Sequence, residues 1–190
     1  MTRPDNGLRL FGVEDGSFRA FHEAEPSHSI FCGVKIENSI IREVRLTKIK
    51  IDGFDATDRL LDILKGIEVD AIILGGITFA GFNVVDPKTI FQKGSIPLVV
   101  FSGTRPDNEK MLRALKNHFL DWRDRWQIIE GLGPAHSIRL RPGESPIYFE
   151  AIGESYEWAV KILRCSAIIG RTPEPVRVAR LIARGLSPVF

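Results

Sequence analysis

Carboxylates near predicted strand ends and helix starts are the side chains best placed to do chemistry in this sequence. Asp15 comes just past the first predicted strand, and Asp86 follows a glycine-rich segment after the first buried strand. Asp52, Asp55 and Asp58 lie where the third strand turns into the first helix. Grouped carboxylates bind Mg²⁺ because this hard cation prefers oxygen ligands. One or two such ions can activate a water and stabilise the leaving oxygen in phosphodiester cleavage.

Each of these carboxylates also has a structural interpretation. Asp15 begins a common turn pair with the glycine that follows it. Asp55, with Asp58 three residues later, is typical of a helix N-terminus, and Asp86 before Pro87 is a favoured N-cap arrangement. The catalytic hypothesis therefore depends on the set of four, Asp15, Asp55, Asp58 and Asp86, converging at one end of the central strands.

The glycine-rich segment 74–83 is a candidate ligand loop. Glycine permits positive φ and a close approach of the backbone to a ligand, but the segment matches no Walker A or dinucleotide fingerprint. Gly81, Phe82 and Asn83 at a loop tip could hold an extruded base, with Phe82 stacking on it and Asn83 hydrogen-bonding to it. The alternative is a tight turn with Phe82 in the core.

Basic residues of the last predicted helix are candidate phosphate contacts. Arg177, Arg180 and Arg184 follow helical spacing and share one face, which suits a nucleic-acid backbone or an ordinary solvated face. Trp122 and Trp126, four residues apart, are predicted to pack in the core.

The hydrophobic pattern predicts the elements that position these residues. Strands are predicted over 8–13, 29–36, 40–51, 69–74, 96–101, 136–140 and 147–150, and helices after Asp55 and Asp107, around Trp122, and over 155–168 and 172–184. Three antiparallel strands followed by strand–helix alternation predict an α/β fold with a mixed sheet flanked by helices. This is the ribonuclease H-like order, and we expect one domain over residues 1–190.

Composition excludes several classes of protein. Hydrophobic residues make up 44% and charged residues 26% of the 190, which excludes a disordered or collagen-like chain. No apolar run approaches the roughly 20 residues of a membrane-spanning helix, and two cysteines make neither a metal motif nor a disulfide framework. We expect a soluble, cytoplasmic protein, and the net charge of +2 is too small to indicate nucleic acid by itself.

Two stretches of the sequence are distinctive: Ile-Asp-Gly-Phe-Asp-Ala-Thr-Asp at 51–58 and Gly-Gly-Ile-Thr-Phe-Ala-Gly-Phe-Asn-Val-Val-Asp at 75–86. Together with Phe-Gly-Val-Glu-Asp-Gly at 11–16, they resemble the endonuclease dU family, which is related to endonuclease V. Near the C-terminus, Pro-Glu-Pro-Val-Arg at 173–177 is similar to the closing helices of endonuclease V. The resemblance implies a ribonuclease H-like fold and Mg²⁺- or Mn²⁺-dependent cleavage of DNA near a deaminated base.

Carried over by position, the resemblance assigns Asp15 to the acid that ends the first strand and Asp55 or Asp58 to the acid that starts the first helix. Gly53 and Phe54 resemble the Pro-Gly-Phe of a wedge loop. Endonuclease V has an Asp at the end of its next strand, where this chain has glycine at 75 and 76. Asp86 is the hypothesised replacement.

Two cations complete the predicted site. Arg105 is the nearest cation to the position where related enzymes have a lysine after the strand ending at 101, and Arg177 is predicted to contact phosphates. The late histidine of the related enzymes is absent, with Ile152 and Gly153 in its region. The hypotheses that follow are a metal-dependent endonuclease on damaged DNA, a non-catalytic nucleic-acid-binding protein that keeps the fold, and a metal-dependent enzyme acting on RNA or free nucleotides.

Overall fold

A seven-stranded mixed sheet organises the protein in a computed structural model that describes residues 7–18 and 28–187. The strands are β1 (Arg9–Asp15), β2 (His28–Glu37), β3 (Ile40–Lys50), β4 (Ala71–Leu74), β5 (Thr78–Phe79), β6 (Asn83–Val84), β7 (Leu98–Ser102), β8 (His136–Ile138) and β9 (Ile147–Ile152). The helices are α1 (Ala56–Leu64), α2 (Pro87–Gly94), α3 (Asn108–His118), α4 (Trp122–Glu130), α5 (Tyr156–Ser166) and α6 (Glu174–Leu186).

The sheet order is β3-β2-β1-β4-β7-β9-β8, and β5 and β6 form a separate two-stranded hairpin. β1, β2 and β3 pair antiparallel, whereas β1, β4 and β7 pair parallel. The predicted fold class, three antiparallel strands followed by parallel strands, is therefore confirmed. The antiparallel pairing of β9 with β7 and of β8 with β9 extends the sheet beyond them.

Helices cover both faces of the central strands, so alternate residues of each strand enter different cores. Ile72 and Leu74 of β4 face the layer of α1 and α2, and Ile73 between them faces the layer of α5 and α6. All four residues of β4 are buried, as expected for a strand covered on both sides. A Cβ at Gly12 of β1 would overlap the backbone of Pro175, so this glycine lets α6 lie directly against β1.

A smaller cluster joins α3 and α4 to the β5–β6 hairpin. Val84, Leu115 and Ile129 form its buried centre, with Trp122 and Trp126 packed against them. Both tryptophans therefore pack as predicted. None of the helices in the described ranges is long and apolar enough to cross a membrane.

Candidate active site

The carboxyl ends of the three parallel strands meet at one edge of the sheet, and the candidate site lies there. Asp15 is the last residue of β1, and Gly75 and Gly76 directly follow β4. The loop after β7 carries Arg105, which is exposed at the same edge. The parallel topology therefore brings Asp15, the glycine pair and Arg105 to one side of the molecule, as the sequence predicted.

Two adjacent acids, Glu14 and Asp15, form the centre of this edge. Glu14 is only 6% exposed, and its Oε1 accepts hydrogen bonds from Nε of Arg180, at 2.9 Å, and from Nη2 of the same guanidinium. Its Oε2 accepts from the backbone N–H of Asp15 at 3.2 Å. Asp15 Oδ2 in turn accepts from the backbone N–H of Ala80, in the β5–β6 turn.

Burial changes the acidity of both carboxyls. Desolvation raises the pKa of Glu14 to about 7, against the opposing effect of the Arg180 charge. Desolvation also raises the pKa of Asp15, and hydrogen bonds from Ala80 and from the Glu14 side chain oppose that rise. Two neighbouring buried carboxyls favour sharing a proton over carrying two charges. The pair would therefore be stabilised by a cation that reached it.

Glycine at position 75 makes room for this arrangement. A Cβ there would overlap the carboxyl of Glu14. The Glu14 side chain thus occupies space beside β4 at the position where the resemblance expects an acid on that strand. Glu14 is not among the site residues predicted from the sequence, although a charged residue in an apolar strand directly before Asp15 is a visible signal.

The β5–β6 turn is attached to the loop after β3. Asp52 Oδ1 accepts from the backbone N–H of Phe82 at 2.9 Å, and the Asp52 N–H donates to the Ala80 carbonyl at 2.8 Å. Gly81 has φ +87°, and a Cβ at this position would overlap the Asp52 carboxylate. Glycine is therefore required at this tip for both its backbone conformation and its close contact.

Asn83 is a structural residue of this region. Its side chain is fully buried, and Oδ1 accepts from the N–H of Ala56 at 2.9 Å, so it satisfies the first turn of α1 from a different strand. Its Nδ2 donates to the Lys50 carbonyl at 2.8 Å and to Asp55 Oδ1 at 2.7 Å. Asn83 therefore has an internal structural role and not the predicted contact with a base, because both the oxygen and the nitrogen of its side-chain amide already have hydrogen-bond partners.

The four predicted metal ligands do not come together. Asp86 caps α2, accepting from the N–H groups of Lys88 and Thr89 through Oδ1 and from the Thr89 hydroxyl through Oδ2. Asp55 Oδ1 accepts a hydrogen bond from Asn83, and Asp55 Oδ2 lies 3.6 Å from Nε of Arg59. Asp58 is exposed on α1. No three Asp, Glu, His or Cys side chains within 7–18 and 28–187 are grouped so that they could hold a metal ion.

The predicted phosphate contact at Arg177 also needs correction. Its guanidinium is bonded to Glu174, at 2.8 Å from Nε and 2.6 Å from Nη2. Arg180 of the same helix reaches Glu14, and Arg184 is exposed and close enough to act electrostatically on Asp15. The face of α6 that serves the acid pair is therefore one to two turns beyond Arg177.

Aromatic side chains surround the two loops. Phe54 is 45% exposed, and the ring of Phe82 lies edge-on to Phe119 with centroids 5.4 Å apart. Arg125 of α4 is buried among them, 4% exposed. Arg125 is not among the residues predicted from the sequence. The local signal for its role is Asp121, four residues earlier, but this spacing is equally typical of an ion pair on the surface of a helix.

The strand order, the helices on both sheet faces and the acid pair at the carboxyl end of β1 define a ribonuclease H-like α/β protein. The chain matches the family model described as endonuclease dU over residues 6–187, and it belongs to that family. This membership supports a nuclease and confirms the resemblance found in the sequence.

Similar proteins span nearly the whole chain. A UPF0215 protein of Methanothermobacter thermautotrophicus is 32% identical over 186 residues, covering 95% of this chain and 88% of the relative. A UPF0215 protein of Methanosarcina barkeri is 36% identical over 184 residues, covering 94% and 90%.

Solved structures give the same fold. A protein from Archaeoglobus fulgidus superimposes with a TM-score of 0.80 at 32% identity, covering 93% of this chain and 96% of that one. Ciona intestinalis endonuclease V, in complex with a DNA containing an inosine followed by a ribo-adenosine, has a TM-score of 0.65 at 14% identity, covering 98% and 88%. At that identity the likeness to endonuclease V concerns the fold alone.

Proposed function

We propose that this protein is a divalent-metal-dependent endonuclease that cleaves DNA at or near deaminated bases, with deoxyuridine or deoxyinosine as the target. The observation that carries the proposal is the carboxyl pair of buried Glu14 and half-buried Asp15 at the end of β1 in a member of the endonuclease dU family. The inosine in the DNA bound by Ciona endonuclease V supports a deaminated target. The proposed role is DNA repair in the cytoplasm.

The side chains at this edge suit Mg²⁺ or Mn²⁺ held by Asp15 and Glu14. Mg²⁺ commonly takes one or two carboxylates together with waters and substrate phosphates. Glu14 and Asp15 supply two oxygen ligands whose raised pKa values a cation would lower. Asp86 caps α2 and is not grouped with the two acids in the described ranges, so it does not fit this role. A bound ion would lower the pKa of a water and stabilise the leaving oxygen.

The remaining residues would bind and orient the strand. Arg180 holds Glu14 in place, and the N–H of Ala80 holds Asp15. Arg184, whose charge acts on Asp15, and Arg105, in the loop at the carboxyl end of β7, are both exposed and suit contacts with phosphates. Phe54 offers an exposed ring for stacking on a base.

The absence of a third acid beside Glu14 and Asp15 in the described ranges favours a second candidate. A chain that kept the fold and lost one ligand would bind nucleic acid without cleaving it. A third candidate is cleavage of RNA, since the strand bound by the Ciona enzyme contains a ribonucleotide.

Cleavage of end-labelled oligonucleotides separates these candidates. Single-stranded and duplex DNA and RNA, each with uracil, hypoxanthine or no lesion in a matched sequence, are incubated with Mg²⁺, Mn²⁺ or EDTA. Because uracil is an ordinary base of RNA, the RNA arm compares hypoxanthine with its absence. Asp15→Ala removes one member of the acid pair, and Asp58→Ala, on the exposed side of α1, is the matched control.

Metal-dependent nicking of the lesion-containing DNA is expected, lost in Asp15→Ala and kept in Asp58→Ala. Binding of every strand without cleavage under any metal would establish the non-catalytic candidate. Cleavage confined to RNA would show that the substrate is RNA, and it would not contradict the proposed metal site.

A further inference from the structure

Arg125 of α4 is a buried guanidinium that reaches two loops far away in sequence. Its side chain is 5% exposed, and it forms an ion pair with Asp121 one turn earlier on the same helix. The other end of the fork reaches the loop after β3 and the tip of the β5–β6 hairpin, which are 43 to 73 residues away along the chain.

All five N–H groups of this guanidinium have partners. Nε donates to Asp121 Oδ1 and Nη2 to Asp121 Oδ2, each at 2.9 Å. Nη1 donates to the carbonyls of Gly53, at 2.7 Å, and Phe82, and Nη2 donates to the carbonyl of Asp52 at 3.1 Å. Arginine has five donors in a fixed plane and lysine has three on one atom. Lysine therefore cannot reproduce this set.

Two aromatic rings also lie against the guanidinium. Its carbon lies 4.4 Å from the ring centroid of Phe119 and 5.1 Å from that of Phe54. Phe54 remains 45% exposed, so part of this residue still faces solvent. A planar base can stack on its ring, because every base has a stacking face.

We propose that Arg125 is a positioning residue that fixes Phe54 and the β5–β6 hairpin as one surface for a nucleobase at a set distance from the acid pair. The hairpin joins the two sites: Ala80 donates to Asp15, and two residues later the Phe82 carbonyl accepts from Arg125. Phe54 is attached to the same guanidinium through the Gly53 carbonyl and through its own ring. This assignment rests on the proposed nuclease function.

The test replaces Arg125 with lysine, which keeps the charge and removes the planar fork. Arg113→Lys is the matched control, because Arg113 is exposed on α3 and pairs with Glu109. KM and kcat are measured for both variants and the wild type on uracil-, hypoxanthine- and undamaged single strands. Circular dichroism verifies the fold, and hydrogen exchange follows the amides of 52–54 and 79–83.

The expected result is a rise in KM for the lesion strands of roughly tenfold, about what one stacking contact contributes, with kcat at saturation retained. Exchange should quicken in both loops together, and Arg113→Lys should behave as the wild type. A folded Arg125→Lys protein that keeps its preference for the lesion and its slow exchange overturns the assignment.

Binding and cleavage by the wild type distinguish a failure of the positioning role from a failure of the proposed function. A wild type that neither binds nor cleaves lesion strands in preference to undamaged ones overturns the proposed function and the positioning role together. If Arg125→Lys does not fold, Asp121→Asn takes its place, because it weakens the anchor of the guanidinium and leaves the three carbonyl contacts. A smaller loss of preference is then expected, and an unchanged preference overturns the assignment.

Discussion

Two groups of carboxylates on either side of the β5–β6 hairpin differ in what surrounds them. Glu14 is buried and Asp15 next to it is half-buried, and desolvation raises the pKa of each despite Arg180 near Glu14 and Arg184 near Asp15. Asp52 and Asp86 have local structural roles. Asp52 accepts from a backbone N–H of the hairpin, and Asp86 completes the first turn of α2.

The comparison shows that an aspartate near a strand end or helix start is not by itself evidence of a catalytic site in this protein. An aspartate whose oxygens accept hydrogen bonds from the N–H groups at the start of a helix acts as an N-cap. A metal ion would have to displace those donors. A buried pair keeps an unfavourable charge that a cation or substrate could relieve. The catalytic hypothesis therefore moves from the four predicted aspartates to Asp15 together with Glu14.

The largest expected effect comes from Glu14→Gln, which keeps the shape of the side chain and removes its charge. We expect cleavage to fall by about 10²-fold or more, because the proposed metal site loses one of its two carboxylates, and the loss of even an outer partner of a ligand costs about 10- to 100-fold. Rates on a uracil-containing strand with Mn²⁺ provide the measurement. Glu150→Gln is the control, because Glu150 is a half-buried acid of β9 whose pKa desolvation also raises, to about 7. Equal losses in both variants would show that burial alone, and not the pair, matters.

Arg180→Met tests how much the ion pair with Glu14 contributes to the stability of the protein. Removing the guanidinium leaves buried Glu14 without its ion-pair partner, and we expect the free energy of unfolding at pH 8 to fall by about 3 kcal/mol. Urea unfolding of Arg180→Met, Glu14→Gln and the double variant measures the coupling. The double variant should recover most of the loss, and simple additivity of the two changes would contradict an electrostatic origin.

Glu150→Gln is also informative about pH, because burial is the sole cause of the raised pKa of Glu150, about 7. The folded state binds this proton more tightly than the unfolded state, so the wild type loses stability as pH rises from about 4.5 to about 7. The variant should be more stable than the wild type by at most about 3 kcal/mol at pH 8, because one pKa unit corresponds to about 1.4 kcal/mol, and equal to it near pH 4. Urea unfolding at pH 4, 6 and 8 tests this, and a difference independent of pH would contradict it.

The fold was predictable wherever the signal is local. The apolar run 69–74 gave β4, and the Asp-Pro pair at 86–87 marked the start of α2, because neighbouring residues determine both. The hairpin inside the glycine-rich segment was not predicted. Its two strands of two residues are too short for a periodic pattern, and they depend on contacts with Asp52.

The site was harder to predict because its contacts are distant in sequence. Glu14 is buried by Arg180, which is 166 residues away, and it has space only because position 75 is glycine. Asn83 satisfies α1 from 27 residues away, a role that no spacing rule describes. Asp15 and Arg105 lie at the same end of the parallel strands because strand order alone places them there.

Asp86 has the smallest expected effect and separates the two groups most directly. Asp86→Ala should lower the free energy of unfolding by about 1 kcal/mol, the usual contribution of an N-cap, and leave the cleavage rate unchanged. Asp86→Asn should lose little stability, since asparagine is an equally good cap. Thermal unfolding and cleavage of the same uracil strand are measured on both proteins. A metal ligand would give the opposite pattern, with cleavage lost in Asp86→Asn although its stability is kept. That outcome would return Asp86 to the catalytic group as the acid missing from β4.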